Sequence, residues 1–215
     1  MVQITLPLLL ENDSSANDDF IVSLCNMEAY RAIINNHQMW PNNRLLLLGE
    51  QGSGKSHLAK MWAKETGASL FQAPFQQPLY QQFSNSILIE NLDQNFNENE
   101  IFHIINYCST ENISLLITAR VLPHFSLPDL RSRINATYKV LIKQPDDELI
   151  LMLLKKYFFN NQILVDHEVL DYLSNRIERS FATVNDITKK IDSASLRHKK
   201  PITVPLVKAL LNELL

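Results

Sequence analysis

The sequence predicts an α/β fold, a parallel sheet flanked by helices, followed by a smaller all-helical unit. Three observations carry this. Short, wholly apolar runs at Leu45–Leu48, Ile87–Ile89 and 113–118 have the length and aliphatic make-up of strands buried on both faces of a parallel sheet. Helical stretches alternate with these runs, which is the order of a doubly wound sheet. From Gln144-Pro145 onward the strand-like runs stop and only helical periodicity remains. A boundary therefore falls near 144, giving an N-terminal peptide (1–10), an α/β unit (11–144) and a helical unit (145–215).

Composition narrows the class. The chain has 215 residues, 46% hydrophobic and 20% charged, enough to bury an ordinary core. A formal charge of −3 supplies no global basic field for nucleic acid. The longest basic cluster, Arg197-His198-Lys199-Lys200, reads as a solvated helix end. The two cysteines, Cys25 and Cys108, fit no zinc spacing and read as reduced thiols. The apolar start, Met1 to Leu10, lacks the basic head and cleavage site of a signal peptide. No apolar run approaches the roughly 20 residues a membrane helix needs. These features predict a soluble cytoplasmic protein with no membrane partner.

In chain order, Val2 to Leu10 is an apolar, proline-containing peptide and residues 11–19 a polar linker. A helix is predicted from Asn26, as N-cap, to about Asn35, with Ala29, Tyr30 and Ile33 facing inward. The strand at Leu45–Leu48 runs into a glycine loop. A helix from Lys55 to about Lys64 follows, with Leu58, Met61 and Trp62 on one side and Gly67 as its stop. Another helix covers about Glu100 to Cys108, between the second and third strands. In the helical unit, Asp146-Asp147-Glu148 sets acidic side chains against a helix N-terminus, and that helix runs to about Phe158. Further helices are predicted over Asp166 to about Arg179, Val184 to about His198, and after Val204-Pro205.

The glycine loop carries the strongest chemistry. The chain has only 4 glycines, below the usual ~7% of residues, yet Gly49, Gly52 and Gly54 share one short window. Gly49-Glu50-Gln51-Gly52-Ser53-Gly54-Lys55-Ser56 matches G-x-x-x-x-G-K-[ST] at every fixed position, after a buried strand and before an amphipathic helix. Glycines let successive backbone N–H groups turn inward as an anion nest, and the helix N-terminus adds partial positive charge. Lys55 suits the β- and γ-phosphates and the Ser56 hydroxyl suits Mg²⁺. Ser53 and His57 flank these groups in the same nucleotide site. The predicted cofactors are ATP or ADP with Mg²⁺.

A second strand, Ile87-Leu88-Ile89, ends in Glu90-Asn91-Leu92-Asp93. Glu90 stands where such proteins place the acid that holds the Mg²⁺ shell, its carboxylate reaching the ion through a bound water. Asn91 occupies the position of a water-orienting carboxylate, and an amide cannot take a proton from water. Slow hydrolysis by this chain alone follows. Thr118 ends a third strand and is a candidate γ-phosphate sensor.

Together these features resemble the AAA+ ATPases, and within them the DnaA branch with its short Hda-type members. The resemblance covers nearly the whole chain. Asp19-Phe20-Ile21-Val22 with Asn26, Ala29 and Tyr30 is similar to the family's adenine-pocket segment, so Phe20, Val22 and Tyr30 join the nucleotide site. Thr118 corresponds to sensor 1. Leu127-Pro128-Asp129-Leu130-Arg131-Ser132-Arg133-Ile134 resembles the arginine-finger segment, with Arg133 at the finger. The helical unit is similar to the family's lid, but Ala182 stands where a sensor-2 arginine is usual. Gln3-Ile4-Thr5-Leu6-Pro7-Leu8 is similar to a sliding-clamp-binding peptide, with Gln3, Ile4, Leu6 and Leu8 as its contacts. The sequence stops at Leu215 without the helix-turn-helix domain of DnaA, and the segment from Thr66 to Asn85 is short for DnaA's single-stranded-DNA helices.

The resemblance implies a regulator of replication initiation. Held on the DNA-loaded sliding clamp (the polymerase β subunit), it stimulates hydrolysis of DnaA-bound ATP through Arg133 and meets DNA only through the clamp. Two other classes stay open: a stand-alone ATPase of clamp-loader type, and a nucleotide-gated clamp adaptor without chemistry. A homo-oligomer also stays open.

Overall fold

The computed structural model describes residues 20–71, 86–94, 97–198 and 201–212. Five strands form one parallel sheet in the order β2-β3-β4-β1-β5. They are β1 (Arg44–Gly49), β2 (Ser69–Phe71), β3 (Ser86–Ile89), β4 (Ser114–Ala119) and β5 (Tyr138–Ile142). The helices are α1 (Met27–Tyr30), α2 (Lys55–Thr66), α3 (Glu98–Thr110), α4 (Pro128–Asn135), α5 (Asp147–Asn160), α6 (His167–Ser174), α7 (Phe181–His198) and α8 (Val204–Asn212).

Alternation along each strand divides the sheet's two faces. Leu45 and Leu47 join Leu58, Trp62, Leu88, Leu116, Val140 and Ile142 in one core beneath α2. Leu46, Ile87, Ile89, Leu115 and Ile117 pack on the other face against α3 and α4. Both faces are covered, so the central strands are apolar throughout. Trp40 stacks on Trp62 at 5.3 Å and donates its indole N–H to the Ala32 carbonyl at 2.7 Å, closing the first core. A third core, including Ile150, Leu154, Leu173, Ile187, Ile191 and Val207, holds α5 to α8 together. Leu149 and Phe181 leave that helical group to pack in the first core.

Several elements differ from the sequence expectation. The helix predicted from Asn26 is α-helical only over α1 and continues as a π turn, Arg31–Asn35. Asn26 does not cap it: its amide accepts from the Ser23 N–H at 2.9 Å and donates to the Ile21 carbonyl at 2.9 Å, bracing the preceding turn instead. The sixth helix stops at Ser174, because the Ser174 hydroxyl and Asn175 amide both donate to the Asp171 carbonyl and compete with the helical ladder. The seventh begins at Phe181, three residues early, where Ser180 Oγ accepts from the Thr183 N–H at 3.4 Å. The α5 start is as expected: Asp146 caps it, accepting from the Leu149 N–H at 2.7 Å. No helix among the described residues is long and apolar enough to cross a membrane.

Candidate functional site

The glycine loop leaves β1 at Gly49 and enters α2 at Lys55. Gly52 and Gly54 hold φ of +82° and +92°, the left-handed region that glycine adopts without strain. A Cβ on Gly54 would meet the Phe20 ring at 2.7 Å, and one on Gly49 would meet Ser53 Oγ at 2.7 Å. The loop therefore needs its glycines for both turn and clearance. Lys55 is buried, and its Nζ donates to the carbonyls of Gly49 at 2.6 Å and Glu50 at 2.7 Å. Burial lowers the Lys55 pKa first; the Asp93 and Glu50 charges oppose that and Arg120 adds to it.

A cavity of about 450 Å³ lies over the loop, walled by Gln51 to His57 on one side and Asn91, Gln94 and Arg120 on the other. Ser56 is exposed at the first turn of α2 and faces this space. Glu90 directly follows β3, its Oε1 buried and without a hydrogen-bond partner. Asn91 adopts φ of +54°, and its N–H donates to the Thr118 hydroxyl at 3.1 Å. Thr118 is fully buried, and its carbonyl accepts from the Leu92 N–H at 2.8 Å, so it ties the carboxyl ends of β3 and β4 together.

A smaller cavity, about 160 Å³, adjoins the loop and is lined by Phe20, Ile21, Asn26, Gly52, Ser53, Gly54, His57, Leu149, Leu153, Lys156 and Phe181. Phe20 stacks on Tyr30 at 6.0 Å and meets the His57 ring at 5.6 Å. Tyr30 thus supports the Phe20 wall from behind, while Val22 is exposed. Phe181, the first residue of α7, lies against Gly52, where an added Cβ would touch it at 3.3 Å. A roomier cavity of about 600 Å³, lined by Leu24, Met27, Met39, Trp40 and Tyr138 among others, holds neither glycine loop nor strand-end carboxylate. Size alone does not pick out the site.

Residues that sequence reasoning missed complete the walls. Arg120, just after β4, pairs with Asp93: its Nε donates to Oδ2 at 2.9 Å and its backbone N–H to Oδ1 at 3.0 Å. Burial raises the Asp93 pKa, but the hydrogen bonds and charge of Arg120 outweigh it and leave the carboxyl below its ordinary value. Leu149, Leu153, Lys156 and Phe181 come from the helical group, and no local signal joins them to a loop a hundred residues earlier.

The other candidates lie elsewhere. Arg133 sits in the last turn of α4, its guanidinium over the Phe102 ring at 5.1 Å. Tyr138, which follows α4, pairs with Leu45 at the start of β1. That puts the end of α4 at the amino edge of the sheet, whereas the glycine loop is at the carboxyl edge, roughly 17 Å away by strand rise. Ala182 is exposed; Arg179 pairs with Asp147 at 2.9 Å, and Arg176 stacks on Tyr172 at 4.0 Å. Gln3, Ile4, Leu6 and Leu8 lie outside the described residues.

The arrangement fits a nucleotide. A nest of turned glycines, a helix N-terminus and Lys55 suit phosphates. The sealed, unpartnered Ser53 Oγ and Glu90 Oε1 are polar atoms that a bound group and its waters can satisfy. No group of three or more metal-ligating side chains occurs among the described residues. A Mg²⁺ here would rest on Ser56 and phosphate oxygens, with Glu90 through water, a donor set ordinary for that ion.

Fold and loop together define the class: a P-loop α/β domain with the fold of AAA+ domains, followed by a helical group. Residues 147–211 match the family model described as the Hda lid domain. The chain is 26% identical over 183 residues to an uncharacterized protein of Haemophilus influenzae, covering 76% of this chain and 79% of that one. It is 27% identical over 120 residues to the chromosomal replication initiator protein DnaA of Buchnera aphidicola, covering 54% of this chain and 28% of DnaA. Among solved structures it resembles domain III of the Thermotoga maritima replication initiation protein DnaA, with a TM-score of 0.74, 16% identity, and 92% and 95% of the two chains covered. It also resembles AMPPCP-bound DnaA from Aquifex aeolicus, with a TM-score of 0.65, 19% identity, and 82% and 63% covered. The match to the Hda lid model, the similarity to DnaA sequences and the likeness to DnaA domain III together support a relation of this chain to the Hda/DnaA-like AAA+ proteins.

Proposed function

We propose that this protein is an adenine-nucleotide-binding regulator of replication initiation that inactivates DnaA by promoting hydrolysis of DnaA-bound ATP. The observation that carries the reading is the separation of its two parts. The glycine loop lies at the carboxyl edge of the sheet, and Arg133 at the amino edge, where it does not reach its own loop. A guanidinium so placed is suited to a nucleotide held by another molecule.

In this reading the loop, Lys55 and Ser56 bind ADP or ATP with Mg²⁺, and Phe20, backed by Tyr30, walls the base pocket. His57, Leu153 and Phe181 complete that pocket. The bound nucleotide sets the seat of the lid through Phe181 and is turned over slowly. Asn91 cannot serve as a base, and among the described residues no guanidinium of the helical group lines the cavity over the loop. Indifference to the γ-phosphate follows, with ADP and ATP bound within tenfold of each other.

Arg133 leaves Phe102 and enters the ATP site of DnaA, where a guanidinium stabilises charge on the transferring phosphoryl group. The peptide bearing Gln3, Ile4, Leu6 and Leu8 docks in the sliding clamp by inserting apolar side chains into a groove. The test is phosphate release from DnaA-ATP with this chain, with and without DNA-loaded clamp. Stimulation that requires the clamp supports the reading. Turnover without DnaA, abolished by Lys55→Ala, would instead favour a stand-alone ATPase. Clamp binding without any effect on DnaA-ATP would favour an adaptor.

A further inference from the structure

We propose that Arg44 and Arg133 form a second anion site, for a phosphate-class oxyanion, at the amino edge of the sheet. Arg44 opens β1 and is only 6% exposed; its Nε and Nη1 are buried without a hydrogen-bond partner. A guanidinium carries five donors, has no acceptor and keeps its charge in proteins. Sealing one without an acceptor is costly unless something else supplies the counter-charge.

Among the described residues, none supplies it. The groups that act electrically on Arg44 are Arg133, a like charge, and the Cys108 thiol. Burial pushes that thiol up to about 12, so it stays neutral at physiological pH. The chain path explains why the two arginines meet. The parallel register sets Tyr138 beside Leu45, which brings Thr137 to Arg44, and the Thr137 hydroxyl donates to the Arg133 carbonyl at 2.9 Å. Arg133 is half-buried on Phe102, so one guanidinium is sealed and its neighbour meets solvent. Among the described residues neither guanidinium pairs with a carboxylate, and planar forks of this kind match the oxygens of phosphate. The site is separate from the glycine loop; it shares Arg133 with the proposed function and goes beyond that reading by adding the sealed Arg44 and by requiring neither DnaA nor the clamp.

The test follows inorganic phosphate binding to the full chain carrying Lys55→Ala, at ionic strength held constant with chloride, by thermal melting and by the Arg44 Nε–H resonance. The same titration of wild-type chain saturated with ADP guards against misfolding of that variant. A saturable rise in Tm with a shifted Arg44 resonance is expected. Both should vanish in Arg44→Met, which without phosphate should melt no lower than its parent. Tripolyphosphate, whose end group imitates that of a nucleotide, separates two sources. Binding at least tenfold tighter than phosphate assigns the site to a nucleotide, and equal binding assigns it to free phosphate. An unmoved Arg44 resonance, or an equal phosphate-induced rise in Arg44→Met, would overturn the site and leave the reading of DnaA inactivation intact.

Discussion

Asp93 holds Arg120, which lines the cavity over the glycine loop, the carboxylate taking both the guanidinium Nε–H and the backbone N–H of the same arginine. The Asp93 side chain is 5% exposed and that of Arg120 44%. The pair therefore fixes the end of β4 and holds one cationic side chain at the wall of the cavity over the glycine loop. Asp93→Ala should cost about 2 kcal/mol, within the range for hydrogen bonds to charged groups, measured by denaturant unfolding. It should also weaken nucleotide binding by freeing Arg120. The pH sign follows from the depressed Asp93 pKa. The contribution is complete above the unfolded value of about 3.9 and is lost as pH falls through the lower folded value. Wild-type stability should fall across that acidic window, and Asp93→Asn should flatten this part of the curve.

Gly54→Ala tests the loop's clearance. Its φ of +92° and the 2.7 Å approach to Phe20 leave an added methyl no room. The left-handed backbone alone should cost about 1 kcal/mol. Displacement of the Phe20 ring should weaken ADP binding by at least tenfold. Equal affinity by calorimetry would show that Phe20 does not shape the pocket.

Much of this was legible in the sequence because it is local. The loop, its strand and its helix adjoin in the chain, and the spacing G-x-x-x-x-G-K-S encodes their geometry. Glu90 and Thr118 were legible as polar ends of apolar runs. β5 was not, because Tyr138, Lys139 and Leu141 are exposed on an edge strand and break the apolar run. β2 has three residues and no pattern to read. The pairing of Asp93 with Arg120, the contact of Phe181 with Gly52 and the proximity of Arg44 to Arg133 are set by tertiary packing. No spacing rule joins residues that far apart.

Asn91 bears on the chain's own hydrolysis. Its positive φ suits an Asn or Asp, whereas a Glu there would be strained. Asn91→Asp restores a carboxylate with little change in backbone. Single-turnover ATP hydrolysis should rise at least tenfold, a part of the roughly 10²–10⁴ that a placed base supplies. An unchanged rate would mean that the amide is not what limits turnover.

Whether Arg133 acts on ATP held by DnaA is read from phosphate release by DnaA-ATP in the presence of DNA-loaded clamp. Trans-acting arginines contribute roughly 10³–10⁵ in rate, so the wild-type chain should stimulate release and Arg133→Ala should not, while a folded melting profile shows that the variant is intact. Arg133→Lys should recover little of it, because an ammonium does not reproduce the planar fork. Stimulation by Arg133→Ala at the wild-type rate would contradict the account.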